Sequence, residues 1–402
     1  MRKICLSVAG IFLTLFASFA QTGKDSSGYK SRKLTFEEAN LVSSYYKQDG
    51  DHSAVTGGSG TQHLTDIANV IDVKLYRYDR KDRKHSFDAE VGIDHYTSAS
   101  SDKVDPFTLS SASHADTRIY PSLNWTMENE KKGSTIGAGL SLSSEFDYTS
   151  FGINLNFAQK TRNRSGEFSA KFQAYLDKLK YIEPIEIRIA NGGSGDEDED
   201  DYATKSRNSY SGSLSYSQII NQRLQIMFIA DLVYQQGFLG LPFHRVYFNN
   251  STVVRIEKLP DSRVKIPLGF RANYFLGDRF VLRSFYRYYN DDWGINSHTV
   301  QLESSVKISP FLSLTPFYRY YTQTAADYFK PINANKLTDA YYTSNYDLSA
   351  FNSNFYGAGI RLAPPKGVFG IQRLNMLELR YGHYKRTDGL KADIISLNLK
   401  VK

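Results

Sequence analysis

Six consecutive acidic residues form the densest cluster of chemically active side chains in the sequence. They occupy positions 196–201 and follow 191–195, an Asn-Gly-Gly-Ser-Gly stretch typical of a surface loop. Carboxylate oxygens are the ligands that hard cations such as Ca²⁺ prefer, so Asp196, Asp198 and Asp200 are candidate metal ligands. The run does not have the spacing of an EF-hand loop. A solvated, self-repelling loop without metal is therefore the alternative.

Two aromatic and basic blocks carry the next candidates. Residues 285–289 and 317–321 both read Phe-Tyr-Arg-Tyr-Tyr, and a period of two puts tyrosines and arginines on opposite faces of a strand. One face then holds Arg283, Arg287 and Arg319, with Glu303 on the segment between them. These charges could form a positive wall that selects solutes or a structural network of ion pairs, and the sequence leaves both open.

The other reactive residue types form no catalytic set. The eight histidines show no His-x-x-x-His or His-Glu-x-x-His spacing, and Cys5 is the only cysteine. Gly57-Gly58-Ser59-Gly60 lacks the Lys-Ser/Thr that completes a phosphate-binding loop. We therefore predict that the chain is not an enzyme and needs no cofactor.

The elements that must position these residues are β-strands. In the segment 135–145, Ile136, Ala138, Leu140 and Leu142 alternate with glycine and serine, a pattern that a strand can satisfy and a helix cannot. Sixteen such segments can be counted, and they are longer than the about 5–6 residues usual in globular proteins. The predicted strands are 33–47, 64–78, 85–98, 116–128, 134–147, 149–160, 166–178, 208–219, 223–236, 263–275, 279–290, 296–309, 312–324, 347–362, 373–386 and 391–401.

Long strands with small polar residues on one face are typical of transmembrane β-barrels. In lipid every backbone group must be paired, so such a sheet has to close. We predict an all-β fold, a single antiparallel transmembrane β-barrel of about sixteen strands, within two of that number. The connections predicted on one side are mostly tight, and those predicted on the other side include the long ones. Short periplasmic turns and long outer loops are the rule in outer-membrane barrels, which places both termini in the periplasm.

The N-terminus has the pattern of an export signal. Arg2 and Lys3 precede an apolar stretch over 4–16, and Ser18-Phe19-Ala20 is a small-x-small cleavage site. We predict a signal peptide over 1–20, a flexible segment over 21–32 and the outer-membrane barrel over 33–402. Cys5 would leave with the signal.

Several motifs together resemble a known family. They are Tyr45-Tyr46-Lys47-Gln48-Asp49-Gly50, Ser53-Ala54-Val55-Thr56-Gly57-Gly58, Leu64-Thr65-Asp66, Asp94-His95-Tyr96-Thr97-Ser98-Ala99-Ser100, Phe243-His244-Arg245-Val246-Tyr247-Phe248 and Glu257-Lys258-Leu259-Pro260-Asp261-Ser262-Arg263. The mature chain resembles the bacterial outer-membrane family DUF3570 over nearly its whole length. The resemblance implies a β-barrel in the outer membrane of Gram-negative bacteria and hints at a periplasmic redox or metal-handling partner. It brings no catalytic residues.

Two functions remain open. The barrel could be a passive channel for small hydrophilic solutes, with anions favoured by the net charge of +7, or a non-conducting scaffold plugged by its loops. Folding of the segments 179–207 and 237–262 into the lumen would favour the scaffold. The expected partners are outer-membrane lipid and lipopolysaccharide, the barrel-assembly machinery and a possible periplasmic protein. Nucleic acid is not expected, because the basic tract 80–84 falls in a periplasmic turn.

Overall fold

Sixteen long antiparallel strands close into a barrel in the computed structural model, which describes residues 32–97, 115–184, 186–187 and 202–402. The predicted signal peptide and nearly all of the predicted flexible segment lie outside these residues. The barrel strands are β1 (Thr35–Asp49), β2 (Leu64–Tyr78), β3 (Lys84–Thr97), β4 (Ala115–Asn129), β5 (Ser134–Ser144), β6 (Tyr148–Lys160), β7 (Gly166–Lys180), β8 (Thr204–Ile219), β9 (Leu224–Gly237), β12 (Ser262–Leu276), β13 (Phe280–Asp291), β14 (Asn296–Lys307), β15 (Leu312–Gln323), β16 (Phe351–Leu362), β17 (Leu374–Arg386) and β18 (Lys391–Val401). The short strands β10 (Arg245–Tyr247) and β11 (Val254–Ile256) form a separate hairpin.

The barrel closes between its first and last strands. β1 pairs with β18 in antiparallel register from Ala39↔Val401 to Asp49↔Lys391. Every other barrel strand pairs with its neighbours in chain order, with β9 next to β12. Closure leaves no strand edge unpaired, which is the condition for a sheet to lie in lipid. The predicted antiparallel barrel of sixteen strands is confirmed.

The two faces of the strands differ as the alternation predicts. Leu140, Leu155 and Leu232 are more than half exposed on the outer face, whereas their chain neighbours Ser141 and Asn154 lie on the inner face. An apolar band around the outside of a closed barrel is the surface that lipid covers. Among the described residues, no helix has the length and apolar character needed to cross a membrane.

The outer face also carries aromatic residues from the two predicted blocks. Tyr286 on β13 and both Tyr318 and Tyr320 on β15 are exposed there. The Tyr286 hydroxyl lies 2.9 Å from His298 Nδ1, and the Tyr318 hydroxyl donates to Asn354 Oδ1 over 2.6 Å. The predicted orientation of the two Phe-Tyr-Arg-Tyr-Tyr blocks is therefore confirmed.

The barrel has two unlike ends. At the turn end, where β1 begins and β18 ends, neighbouring strands are joined by short connections such as 130–133 and 277–279. Gly277 takes a positive φ of 61° in one of these turns, which a glycine adopts without steric cost. At the loop end lie the long described connections 50–63, 238–261 and 324–350. The connections between β3 and β4 and between β7 and β8 fall wholly or largely outside the described residues.

Strand boundaries differ from the prediction mainly at the loop end. The predicted strand 347–362 begins only at Phe351, because Tyr346–Leu348 form a 3-10 turn. β5 ends at Ser144 rather than at position 147, and β8 begins at Thr204, four residues earlier than predicted. The hairpin of β10 and β11 was not predicted at all. The hairpin and the 3-10 turn arise where connections fold into structure of their own.

Candidate functional site

The predicted arginines lie on the inner wall of the barrel. Arg283 and Arg287 on β13 alternate with outward residues, and Arg319 lies between the exposed Tyr318 and Tyr320 on β15. The side chains of Arg283 and Arg287 are 46% and 43% exposed. These two inward-facing charged side chains are therefore not fully packed against other groups.

Glu303 on β14 is the centre of an ion-pair network on this wall. Arg283 Nη1 donates to Glu303 Oε1 over 2.8 Å and to Ser305 Oγ over 2.8 Å. Arg380 Nη2 on β17 donates to Glu303 Oε2 over 2.6 Å. Sequence reasoning did not single out Arg380, although the alternation of β17 between Leu379 and Tyr381 turns it inward.

Arg287 and Arg319 stand apart from this network. Arg287 Nη2 lies 3.7 Å from the carboxylate of Asp231 on β9, at the limit of an ion pair. The guanidinium carbon of Arg319 lies 4.9 Å from the ring centre of Phe355, a cation–π contact. The structure therefore divides the three predicted arginines. Arg283 belongs to an ion-pair network, Arg287 makes one long ion pair and Arg319 contacts an aromatic ring.

The candidate metal ligands Asp196, Asp198 and Asp200 lie outside the described residues, so that assignment stays a prediction. Within the described ranges, carboxylate oxygens of Asp116, Glu145 and Asp147 come within 4.8 Å of one another. Ca²⁺ takes about 6–8 oxygen ligands. Three half-buried carboxylates would leave much of that shell to water.

Several loop-end connections meet over the mouth of the barrel in a structure that we call the cap. It consists of residues 50–63, 182–187 as far as described, 238–261 and 324–350. Arg245 is buried at its centre and pairs through Nε and Nη2 with both carboxylate oxygens of Glu186. Its Nη1 donates to the carbonyl oxygen of Val55 over 2.8 Å.

The Arg245–Val55 contact joins opposite walls of the barrel. Val55 belongs to the connection that follows β1, and Arg245 to the connection that follows β9. These two strands are eight strands apart in either direction round the barrel. The segment 237–262, whose path distinguishes a channel from a plugged scaffold, therefore reaches across the mouth.

A buried carboxylate ties two of the cap segments together. Glu257 is 5% exposed and accepts hydrogen bonds of 2.7 Å from the backbone N–H of Leu241 and from Thr343 Oγ1. His244 Nδ1 lies 3.1 Å from Glu257 Oε1. Burial raises the pKa of Glu257, but the charge of His244 and these hydrogen bonds outweigh burial and leave the pKa below its usual range.

The cap has an apolar centre of its own. Val246, Phe248 and Tyr342 are buried against one another, with the Phe248 and Tyr342 rings 5.0 Å apart, edge to face. On the side of the first connection, the His52 ring stacks on Tyr346 at 3.8 Å. Contacts of this kind hold the connections as packed structure, not as independent loops.

A cavity of about 840 Å³ lies beside the cap. Its walls come from the connection after β7, from 237–261 and from Tyr342, and they mix apolar side chains such as Phe238 and Ile256 with the carboxylate of Glu257. The cavity is therefore part of the loop end and not of the arginine wall.

The motifs in the cap and strands agree with a family-level comparison. The model of the family described as Protein of unknown function (DUF3570) matches residues 51–387, most of the chain. The chain belongs to this family. The DUF3570 match covers the cap residues Val55, Glu186, Arg245 and Glu257 and the barrel strands from β2 to β17. A search of curated proteins found no match.

Solved structures with a similar fold include bacterial outer-membrane proteins. A BenF-like porin from Pseudomonas fluorescens Pf-5 is 8% identical with a TM-score of 0.44, over 93% of this chain and 100% of the porin. A mutant of the ferric enterobactin receptor PfeA from Pseudomonas aeruginosa is 12% identical with a TM-score of 0.46, over 87% of this chain and 53% of the receptor. Similarity at this level carries no information on what this DUF3570 chain binds or transports.

Proposed function

We propose that this protein is an outer-membrane channel for small hydrophilic solutes whose mouth is narrowed by the cap. The observation that carries the proposal is the solvent-exposed charge on the inner wall, with Arg283 and Arg287 both more than 40% exposed. Barrels of about sixteen strands enclose a water-filled lumen when side chains and loops do not fill it. In a filled barrel, the charged side chains of the inner wall would lose their hydration, which costs free energy. In an open barrel they keep it.

The proposal includes a location and an orientation. The apolar outer band and closed sheet fit the outer membrane of a Gram-negative bacterium, with the turn end and both termini in the periplasm and the cap outside. Lipid and lipopolysaccharide would then contact the outer face, and the barrel-assembly machinery would insert the chain. The absence of enzymatic activity remains a prediction.

A second function is favoured by the cap itself. The Arg245–Val55 hydrogen bond joins connections that come from opposite sides of the mouth. The cap could therefore close the lumen completely. The protein would then be a non-conducting scaffold that serves a periplasmic partner with redox or metal-handling activity.

Planar bilayer recordings of the purified protein distinguish the two functions. We expect stepwise conductance from the native chain and larger steps from Arg245→Ala, because this change removes the hydrogen bonds to Val55 and Glu186 that hold the cap across the mouth. Lys336→Ala is the matched control: it changes an exposed cation of the same cap and should leave the steps unchanged. Folded protein that is silent both as the native chain and as Arg245→Ala would contradict the channel and support the scaffold.

A further inference from the structure

The inner wall opposite the arginines is acidic. Asp72 on β2 and both Asp88 and Glu90 on β3 face the lumen, since the alternate residues Ala89 and Val91 are exposed on the outer face. Asp72 and Glu90 are direct cross-strand partners. The sequence predicts only the positive wall, whereas the acidic wall follows from the register of β2 and β3.

The acidic side chains form one cluster, in which the carboxyl groups of Asp72 and Asp88 interact with each other. Asp72 accepts a hydrogen bond of 2.7 Å from Asn40, and none of the three carboxylates forms an ion pair with a residue in the described ranges. The neighbouring cation Lys74, the cross-strand partner of Asp88, has its amine 3.9 Å from Glu37.

The basic side chains on the other wall make mainly aromatic contacts and few ion pairs. Arg271 on β12 lies over the Phe285 ring at 5.5 Å, and Arg319 lies over Phe355. Arg287 makes only the long contact of 3.7 Å with Asp231. Stacking on an aromatic face holds a guanidinium in place while leaving its edge free to donate to a carboxylate.

The two walls face each other at the same level of the barrel. β3 and β13 are eight strands apart in either direction, which places them on opposite sides. The six side chains lie at similar distances along their strands from the turn end. Asp88 is four residues from the turn-end residue of its strand, Arg271 five, Asp72 and Glu90 six, and Arg287 and Arg319 seven.

We infer that these walls form a transverse electric field that selects small zwitterionic solutes, such as amino acids and short peptides. A zwitterion can align its dipole with this field, with its ammonium group toward Asp72, Asp88 and Glu90 and its carboxylate toward the arginines. An anion or a cation gains attraction at one wall only, and a neutral solute at neither. The inference rests on the proposed channel and replaces its expected preference for anions with a preference for dipolar solutes.

Uptake into proteoliposomes tests this selectivity separately from the channel itself. Four solutes of similar size are compared at low salt: serine as the zwitterion, erythritol as the neutral polyol, glycerate as the anion and choline as the cation. We expect serine to enter severalfold faster than the other three and its advantage to shrink as salt screens the field. Equal rates for serine and erythritol, or faster entry of glycerate, would overturn the inference and leave the channel standing. No uptake of any solute would overturn both.

Variants then assign the selectivity to the walls. The triple change Asp72→Asn, Asp88→Asn and Glu90→Gln should abolish the advantage of serine and raise the uptake of glycerate. The matched control is Lys171→Gln, which removes an exposed inner charge of β7 at similar depth, four strands from both β3 and β13. An advantage of serine that survives the triple change would contradict the inference. The double change Arg287→Gln and Arg319→Gln gives the mirror test from the other wall, with higher uptake of choline expected.

Discussion

Glu303 holds two arginines of different strands and is the centre of the ion-pair network on the inner wall. Its carboxylate accepts from Arg283 on β13 and from Arg380 on β17. We expect Glu303→Gln to lower the free energy of unfolding by about 1.5–3 kcal/mol, the range for hydrogen bonds to charged groups. Arg319→Gln, which loses only a ring contact, should cost less. Guanidinium unfolding in detergent micelles measures both, and equal losses would contradict the central place of Glu303.

The outer face gives a second prediction for single residues. Leu140 is about half exposed on the outside of β5, and Ser141 follows it on the inside. Leu140→Arg should cost about 2–4 kcal/mol if the side chain lies near the membrane midplane, whereas Ser141→Arg meets the hydrated lumen and should cost much less. Unfolding of both variants in lipid vesicles provides the comparison. Similar losses at the two positions would mean that the faces are assigned wrongly.

Sequence reasoning at this scale found the face of a residue but not its partner. Alternation alone puts Arg283, Arg287 and Arg319 on one wall. That Glu303 pairs with Arg283 and Arg380, and not with Arg287 or Arg319, depends on strand register and on the spatial order of β14 and β17. The acidic wall was not predicted for the same reason, since its position opposite the arginines depends on the order of the strands round the barrel.

At the scale of elements, the strands were predictable and the cap was not. A period of two over long segments identified all sixteen barrel strands, because the two faces meet solvents as different as lipid and water. The cap depends on contacts between segments far apart in the chain, such as Arg245 with Val55 and with Glu186. No local pattern encodes such contacts, and the boundary errors at Phe351 and Ser144 arise where the connections begin.

The cap is also the element expected to respond to acid. Because the pKa of Glu257 in the folded protein lies below its unfolded value of about 4.3, its carboxylate stabilises the cap above that pH. The contribution is lost as the pH falls through the folded pKa. Hydrogen exchange of the Leu241 amide, which donates to Glu257, should then lose protection relative to barrel amides at the same pH.

The control for this acid response is Glu257→Gln. An amide at this position has no proton to gain in this range, so the protection of Leu241 relative to the barrel should not change between neutral pH and acid. An unchanged ratio in the native chain would contradict the role of Glu257 in holding the cap segments together.

The whole molecule is asymmetric along its axis, and this asymmetry makes its orientation testable. The short turns, the start of β1 and the end of β18 lie at the turn end, and the packed cap lies at the loop end. Cys5 is the only cysteine and falls in the predicted signal peptide, so single cysteines can report on either end. Lys336→Cys places an exposed thiol in the cap, and Asp278→Cys places one in a turn.

We expect a membrane-impermeant maleimide to label Lys336→Cys on intact cells and to label Asp278→Cys only after the outer membrane is permeabilised. Outer-membrane barrels have long extracellular loops and short periplasmic turns. Labelling of Asp278→Cys alone on intact cells would invert the orientation and place the cap in the periplasm. The cap would then act on solutes leaving the channel toward the cell, and Arg245→Ala would still widen the path, because the strand order that carries Arg245 to Val55 does not depend on which side is outside.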